Sequence, residues 1–123
     1  MYTLDTNILI YLLKDESSVV KFLRENILKG SRFFISSITE IELLSYPKIS
    51  PDEREKVEDI LKTLSIISVD SQLAWLASFF KRKYKTSLPD AIIAATAYLT
   101  NSTLLTRNIK HFQKIKEISI KSI

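Results

Sequence analysis

The sequence is poor in the residues that form covalent cross-links, turns and metal-binding clusters. Its 123 residues include no cysteine, one histidine and one glycine. The lack of cysteine excludes disulfides, thiolate catalysis and zinc held by cysteine, and His111 alone is too little for a histidine-rich metal site. With only three prolines as well, the chain is unsuited to long linkers or to an all-β fold, which needs turn glycines.

Long apolar runs are also missing. No stretch reaches the ~18 consecutive apolar residues of a membrane span, and no basic leader precedes the first apolar run, so we expect no membrane contact and no signal peptide. A cytoplasmic location fits the lack of cysteine. The net charge of +4 is compatible with a nucleic-acid partner but is equally normal for a lysine-rich protein.

What the chain does have is an alternation of short apolar runs with longer segments of helical periodicity. Hydrophobic residues make up 46% and charged residues 26%, which suits one domain over residues 1–123. The predicted strands are Tyr2–Leu4, Arg32–Ile35, Ile66–Val69, Thr103–Thr106 and Ile115–Ile120. Strands separated by helices predict an α/β fold, a mainly parallel sheet with helices on both faces. Ligands bind such sheets beyond the carboxyl ends of the strands.

Local signals predict where the helices begin and end. Gly30 is expected to end a helix over residues 18–28. Ser37 with Glu40 three residues later has the pattern of a capping box. Further helix starts are expected at Thr6, Ser50–Pro51, Asp70 and Pro89.

Asp5 ends the first predicted strand and opens the first helix, followed by Thr6 and Asn7. Its ordinary role is a helix N-cap, a position that aspartate fills well. The same position lies at the carboxyl edge of the sheet, where a metal ligand is also expected. Asp5 is therefore a candidate ligand whether or not it also caps the helix.

Glu42 is the better of two acidic candidates in the helix after the second strand. At 100° per residue, Ile38, Ile41 and Leu44 are predicted to form the inward stripe. Glu42 borders this stripe, whereas Glu40 points away from it. The alternative for Glu42 is an edge glutamate that extends to water.

Asp90 stands in the first turn of a helix that is apolar nearly all round and should be buried. The helix dipole stabilises such an acid by only ~0.5 kcal/mol. An unpaired buried carboxylate costs several kcal/mol. We therefore expect either a cation or a cationic side chain beside Asp90, or a carboxylate that is exposed to solvent at the carboxyl edge of the sheet.

A polar segment, Thr106–Asn108, follows the fourth predicted strand. Thr106 and Asn108 are candidates to hydrogen-bond metal-bound water, and Arg107 is a candidate to bind a phosphate. The alternative is an ordinary turn in which Asn108 caps the next helical turn.

In their order and spacing, these segments resemble a PIN domain, and they are most similar to the VapC-type toxins of toxin–antitoxin pairs. The resemblance spans essentially the whole chain and rests on Leu4–Leu9, Ile35–Leu44, Leu88–Ala97 and Thr106–Asn108. It implies three α/β/α layers around a parallel five-stranded sheet of order 3-2-1-4-5. Asp5 and Asp90 would then lie close together at the switch point, where the strand order reverses direction, and Glu42 would lie beside them.

The resemblance also implies a Mg²⁺- or Mn²⁺-dependent endoribonuclease that cleaves RNA, is usually a homodimer, and is inhibited by a cognate antitoxin. Asp5 and Asp90 would be the principal metal ligands and catalytic residues, with Glu42 completing the cluster directly or through water. Supporting or substrate-binding roles would fall to Thr6, Asn7, Thr106, Arg107 and Asn108. Family members often have a fourth acid at the position that His111 occupies in this chain. Asn108 would be the neutral polar member of the site instead.

Two other functions fit parts of the sequence. The first is a catalytically weak PIN fold that binds RNA or protein, suggested by His111 at the position of the fourth acid. A receiver-like signalling domain matches the size and also binds Mg²⁺ through acids. It would need an acidic pair after the first strand, where only Asp5 stands, and a phosphorylatable aspartate after the third, where Asp70 is better explained as a helix cap.

Overall fold

Five short parallel strands form the central sheet in the computed structural model, which describes all residues from 1 to 123. They are β1 (Tyr2–Leu4), β2 (Phe33–Ser36), β3 (Ser65–Ile67), β4 (Thr103–Leu105) and β5 (Ser119–Lys121). Their order is β3-β2-β1-β4-β5, and every neighbouring pair is parallel. The predicted α/β fold and the order 3-2-1-4-5 are confirmed.

Seven helices connect and follow the strands. They are α1 (Thr6–Leu13), α2 (Ser17–Leu28), α3 (Ser37–Leu44), α4 (Pro51–Leu61), α5 (Ser71–Tyr84), α6 (Leu88–Leu99) and α7 (Ile109–Phe112). Most predicted end signals are confirmed, because Ser50 caps α4, Asp70 caps α5, and Gly30 follows α2 with a φ of +82°. None of the helices has both the length and the apolar composition needed to cross a membrane.

Helices cover both faces of the sheet and enclose two hydrophobic clusters. Leu104 belongs to the cluster with α5 and α6, and the next residue, Leu105, belongs to the cluster with α1 to α4. Successive strand side chains point to opposite faces, so β4 contributes to both layers of the core. Helix α6 is buried along Ala91–Ala97, as its apolar sequence predicts.

Several predicted element ends were wrong, including those of β3, which covers Ser65–Ile67 instead of residues 66–69, and of β4, which ends at Leu105 instead of Thr106. Strand β2 continues to Ser36, which pairs with Ile67, so Ser36 and not Ser37 caps α3 by accepting the amide hydrogen of Ile38. The last strand is Ser119–Lys121 instead of residues 115–120. Ile115 is buried in the core behind α7, where it packs against side chains and does not pair with β4.

Candidate active site

A polar pocket opens beyond the carboxyl ends of β1 and β4, where the strand order reverses direction. All three predicted carboxylates line it, although they come from three different parts of the chain. The pocket is lined by Asp5, Thr6, Asn7, Ile10, Glu42, Ser87, Pro89, Asp90, Ile93, Asn108 and His111. The fold therefore brings together residues that are up to 106 positions apart, from 5 to 111.

Asp5 is held by the loop that follows β4. Its side chain is buried, and it stands at the N-cap position of α1 without making a capping hydrogen bond. Instead, the buried Thr106 hydroxyl donates to Asp5 Oδ2 at 2.8 Å. The same Thr106 oxygen accepts the backbone amide of Asn108 at 2.9 Å. The ordinary capping role is thus absent, and the carboxylate faces the pocket.

The electrostatic surroundings of Asp5 oppose its ionisation. Burial raises the pKa of the Asp5 carboxyl above its usual value, the Thr106 hydrogen bond lowers it, and the charges of Asp90 and Glu42 raise it again. The net direction is upward. A buried acid near two other carboxylates is stabilised by a cation placed between them.

Glu42 reaches the pocket for a different reason from the predicted one. The inward stripe of α3 was wrong, because Ile41 is 60% exposed and the buried residues are Thr39 and Leu43. The Thr6 hydroxyl lies 3.0 Å from Thr39 Oγ1 and donates to Glu42 Oε1 at 2.9 Å. With Thr39 and Leu43 buried, Glu42 lies beside Thr6, and this threonine contact between α1 and α3 holds its carboxylate at the pocket.

Asp90 is half-buried at the start of α6, where the Ser87 hydroxyl accepts its backbone amide hydrogen. Its Oδ2 lies 3.1 Å from Nδ1 of His111, on α7. The side chain beside Asp90 is therefore the imidazole of His111, at the position where the resemblance implies a fourth acid. The helix predicted to start at Pro89 begins one residue earlier, at Leu88, with Ser87 as its N-cap. Nothing local predicted the contact between Asp90 and His111.

Arg107 does not line this pocket. Its guanidinium donates to Glu16 at 2.6 Å, to Ser18 Oγ at 2.7 Å and to the backbone oxygen of Ile123 at 2.7 Å. It also lies 4.6 Å from the centroid of the Tyr11 ring. The structure thus gives Arg107 a role other than the predicted phosphate contact, because it ties the loop after β4 to α1 and to the start of α2.

Replacing Arg107 by alanine should lower the melting temperature and reduce kcat by less than about tenfold, because Arg107 acts on Asp5 only through its neighbour Thr106. The KM for a phosphate-containing substrate should stay unchanged. Arg107→Lys should not restore stability, since an ammonium cannot form the same forked contacts. Thermal unfolding and steady-state kinetics check this result. A raised KM with an unchanged melting temperature would instead indicate a phosphate contact.

The donors in the pocket are suited to a hard divalent cation. No three acidic or histidine side chains are close enough to enclose a metal ion by themselves. The three carboxylates nevertheless converge on one pocket, and its other polar groups are mostly hydroxyls and amides. Mg²⁺ prefers oxygen ligands and keeps several waters, so it does not need a closed cage of protein ligands. The residues fit Mg²⁺ or Mn²⁺ better than zinc.

Comparison with known protein families shows to which family this chain belongs. The PIN domain family profile matches residues 2–118, nearly the whole chain. This chain belongs to the PIN domain family. The strand order of this PIN domain, 3-2-1-4-5, also differs from the 2-1-3-4-5 order of receiver-like folds, which removes that alternative.

Proteins similar to this PIN domain include named ribonucleases and toxin–antitoxin complexes. Ribonuclease VapC1 of Haemophilus influenzae (strain R2866) is 27% identical over 126 aligned residues, which cover 96% of this chain and 94% of the relative. The crystal structure of VapBC2 from Rickettsia felis, bound to a promoter DNA fragment, matches with a TM-score of 0.87 and 28% identity over 99% of this chain and 98% of its own. A toxin–antitoxin complex from Klebsiella pneumoniae is 31% identical, with a TM-score of 0.77 over 96% and 95% of the two chains.

Proposed function

We propose that this PIN domain is a divalent-metal-dependent endoribonuclease and the toxin of a type II toxin–antitoxin pair. The observation that carries the proposal is the meeting of Asp5, Glu42 and Asp90 in one pocket at the switch point of the sheet. The similarity to VapC ribonucleases along almost the whole chain supports RNA as the substrate. RNA as substrate in turn supports the cytoplasm as the place of action.

When bound, Mg²⁺ or Mn²⁺ lowers the pKa of a coordinated water, aligns it for attack on phosphorus and neutralises charge on the phosphate. Asp5 and Asp90 would hold the cation, with Glu42 completing the site directly or through water. Thr106 and Thr6 fix the orientations of Asp5 and Glu42 through their hydroxyls. No side chain has to act as a nucleophile in this scheme.

The remaining polar groups at the pocket are proposed to contact the substrate. The amides of Asn7 and Asn108 line the opening and are placed to hydrogen-bond RNA phosphates or water. The proposed inhibitor is a cognate antitoxin, as the VapBC complexes among the similar structures suggest. A homodimer, which the resemblance implies, and a single domain over residues 1–123, which the composition favours, complete the proposal.

Cleavage of labelled RNA in the presence and absence of Mn²⁺ distinguishes the proposed nuclease from a catalytically weak PIN fold that only binds RNA. The nuclease produces fragments with Mn²⁺ and none with EDTA. A binding module shifts the RNA in a native gel and leaves it intact under both conditions. Intact RNA across a panel of structured and single-stranded substrates would overturn the proposed function.

Two glutamates on the same helix provide a matched pair for mutation. Glu42→Gln should reduce cleavage by about tenfold to a hundredfold, because it removes a charge from the pocket while keeping an acceptor for Thr6. Glu40→Gln should leave the rate unchanged, since Glu40 does not line the pocket. Single-turnover rates with Mn²⁺ measure both effects. Equal losses in the two variants would contradict the role of Glu42.

A further inference from the structure

The positive charge of the chain is concentrated in its last third. Residues 81–123 include nine lysines and arginines but only two acids, whereas residues 1–80 include nine lysines and arginines and twelve acids. The net charge of +4 therefore arises entirely from the part of the chain that begins at the end of α5. Such an asymmetry is typical of proteins that bind a polyanion on one side.

Some of these cations already have a structural role. Arg107 and Lys83 form ion pairs with acids, and Lys121 lies over an aromatic ring. Lys81 and Arg82 stand in the last turn of α5, where cations stabilise the helix dipole. Four exposed lysines remain that have no acid within salt-bridge distance, and we call them the lysine rim: Lys85, Lys110, Lys114 and Lys116.

The lysine rim borders the pocket from two segments of the chain. Lys110 directly precedes His111, which lines the pocket. Lys85 stands two residues before Ser87, which also lines it. At most about 7 Å of extended backbone separates either lysine from the lining, and the length of a lysine side chain exceeds half of that distance. The rim therefore lies beside the pocket and outside it.

One hydrogen bond joins the two segments into a continuous surface. The Tyr84 hydroxyl donates to Oε1 of Glu117. Because Lys85 follows Tyr84 and Lys116 precedes Glu117, this bond brings the two lysines to the same part of the surface. Nζ of Lys83 lies 3.6 Å from the other oxygen of Glu117, so the charge of this carboxylate is already balanced and does not cancel that of the rim.

Lys85 adopts a backbone conformation that does not suit lysine. It ends α5 in the left-handed region, with φ +53° and ψ +41°, where glycine or asparagine is usual. The other residues with positive φ are Asp15, Gly30 and Asn101, which are types that tolerate this region. No salt bridge within the chain compensates Lys85 for the strain, and an uncompensated strained residue beside a pocket indicates a functional contact.

The surroundings of the rim favour a phosphate backbone over a protein partner. No large hydrophobic side chain is exposed beyond Leu99, so α7 and the segment after it present lysines without an apolar anchor. Protein interfaces are depleted in lysine and depend on aromatic and apolar anchors. A nucleic-acid backbone, in contrast, binds lysines through charge and needs no such anchor.

We propose that the lysine rim binds the phosphate backbone of the RNA strand whose scissile bond lies in the pocket. This inference rests on the proposed function, because it takes RNA as the substrate. The strand runs from the pocket across α7 and on towards the end of α5. The four lysines act on binding of the strand, and they have no part in the chemical step.

Binding of a short fluorescein-labelled oligouridylate in EDTA, followed by fluorescence anisotropy over a range of salt concentrations, tests the proposal without measuring activity. Each phosphate contact adds about 0.7 to the slope of log affinity against log salt for a single strand. The double variant Lys110→Gln/Lys114→Gln should therefore lower the slope by about 1.4. At about 0.1 M salt, it should bind about 25-fold more weakly than the wild type.

Lys29→Gln/Lys62→Gln is the matched control, since it removes the same charge from two exposed lysines. These lysines follow α2 and α4 and precede β2 and β3, so they lie at the amino edge of the sheet, opposite the pocket. The control should keep the slope and nearly all of the affinity. Circular dichroism verifies that both double variants are folded.

Lys85→Gly separates the charge of Lys85 from its backbone conformation. Glycine relieves the left-handed strain and should raise the melting temperature by about 2–4 °C. It also removes one phosphate contact and should weaken oligouridylate binding by about fivefold at about 0.1 M salt. A higher melting temperature with unchanged RNA affinity would overturn the role of Lys85 in the rim.

The outcomes separate this proposal from the proposed function. Equal RNA binding by the Lys110→Gln/Lys114→Gln variant and its control would overturn the lysine rim, and Mn²⁺-dependent cleavage by the same proteins would leave the nuclease proposal intact. Loss of binding in the rim variant alone, in a chain that never cleaves RNA, would support the rim and overturn the nuclease. Poly-glutamate of equal charge that binds the wild type as tightly as oligouridylate would overturn RNA as the occupant and indicate an acidic protein segment.

Discussion

Replacing Asp5 by asparagine is expected to abolish RNA cleavage and, at the same time, to stabilise the metal-free protein. Loss of a group that merely orients a metal ligand already costs about tenfold to a hundredfold, so loss of a ligand itself should cost at least about a hundredfold. The shape of the side chain is kept, and the asparagine oxygen still accepts the Thr106 hydroxyl. The fold should therefore be retained.

The gain in stability follows from the direction of the pKa shift. Burial and the neighbouring carboxylates raise the pKa of Asp5 in the folded chain above the 3.8 of an ordinary aspartate. The ionised form is therefore less favourable in the folded chain than in the unfolded one. Stability is lost as pH rises through this range, and the loss persists at neutral pH. The asparagine side chain carries no charge and avoids this loss, a gain of the usual size for stabilising substitutions, about 0.5–2 kcal/mol.

Thermal unfolding at pH 7 with EDTA and with Mn²⁺ measures both effects. At about a hundredfold excess over its Kd, Mn²⁺ should stabilise the wild-type chain by about 2.7 kcal/mol and should hardly affect Asp5→Asn. Asp59→Asn is the control, because that carboxylate is 68% exposed on α4 and outside the pocket. Unchanged cleavage by Asp5→Asn, or a lower melting temperature in EDTA, would contradict the assignment.

Replacing Thr106 by valine is expected to weaken metal binding by about tenfold to a hundredfold. Valine has nearly the same shape but cannot donate to Asp5 or accept the backbone amide of Asn108. It leaves a buried carboxylate oxygen and a partly buried amide without their partners, which should also destabilise the chain by about 1–3 kcal/mol. This effect is large because Thr106 itself is completely buried.

Thr106→Ser separates the hydroxyl from the packing of the methyl group. The serine variant keeps donor and acceptor and should recover most of the Mn²⁺ affinity, although it loses some stability. Isothermal titration with Mn²⁺ and thermal unfolding provide the two readouts. If valine and serine variants bound Mn²⁺ equally well, the Thr106 hydroxyl would have no part in positioning Asp5.

Features with local causes were predictable from the sequence. The caps at Ser50 and Asp70 and the glycine end of α2 were confirmed, because each depends on atoms within a few residues. The alternation of strands and helices similarly predicted a parallel sheet, and the resemblance added its strand order. The pocket at the carboxyl edge follows from that topology.

Features set by distant partners were not predictable in the same way. Arg107 was expected to face a phosphate, but its strongest partner is Glu16, which lies 91 positions earlier. Glu42 was predicted to lie near the pocket from an inward stripe that does not exist, because α3 packs through Thr39 and Leu43 against the distant α1 and the core. Helical periodicity describes one helix alone and contains no information about such contacts.

Anomalous diffraction from crystals soaked in Mn²⁺ tests the central claim most directly. We predict a peak among the carboxylates of Asp5, Glu42 and Asp90, and loss of that peak in Asp5→Asn crystals. Binding of Mn²⁺ only at carboxylates outside this pocket, or a peak that persists unchanged in Asp5→Asn, would contradict it.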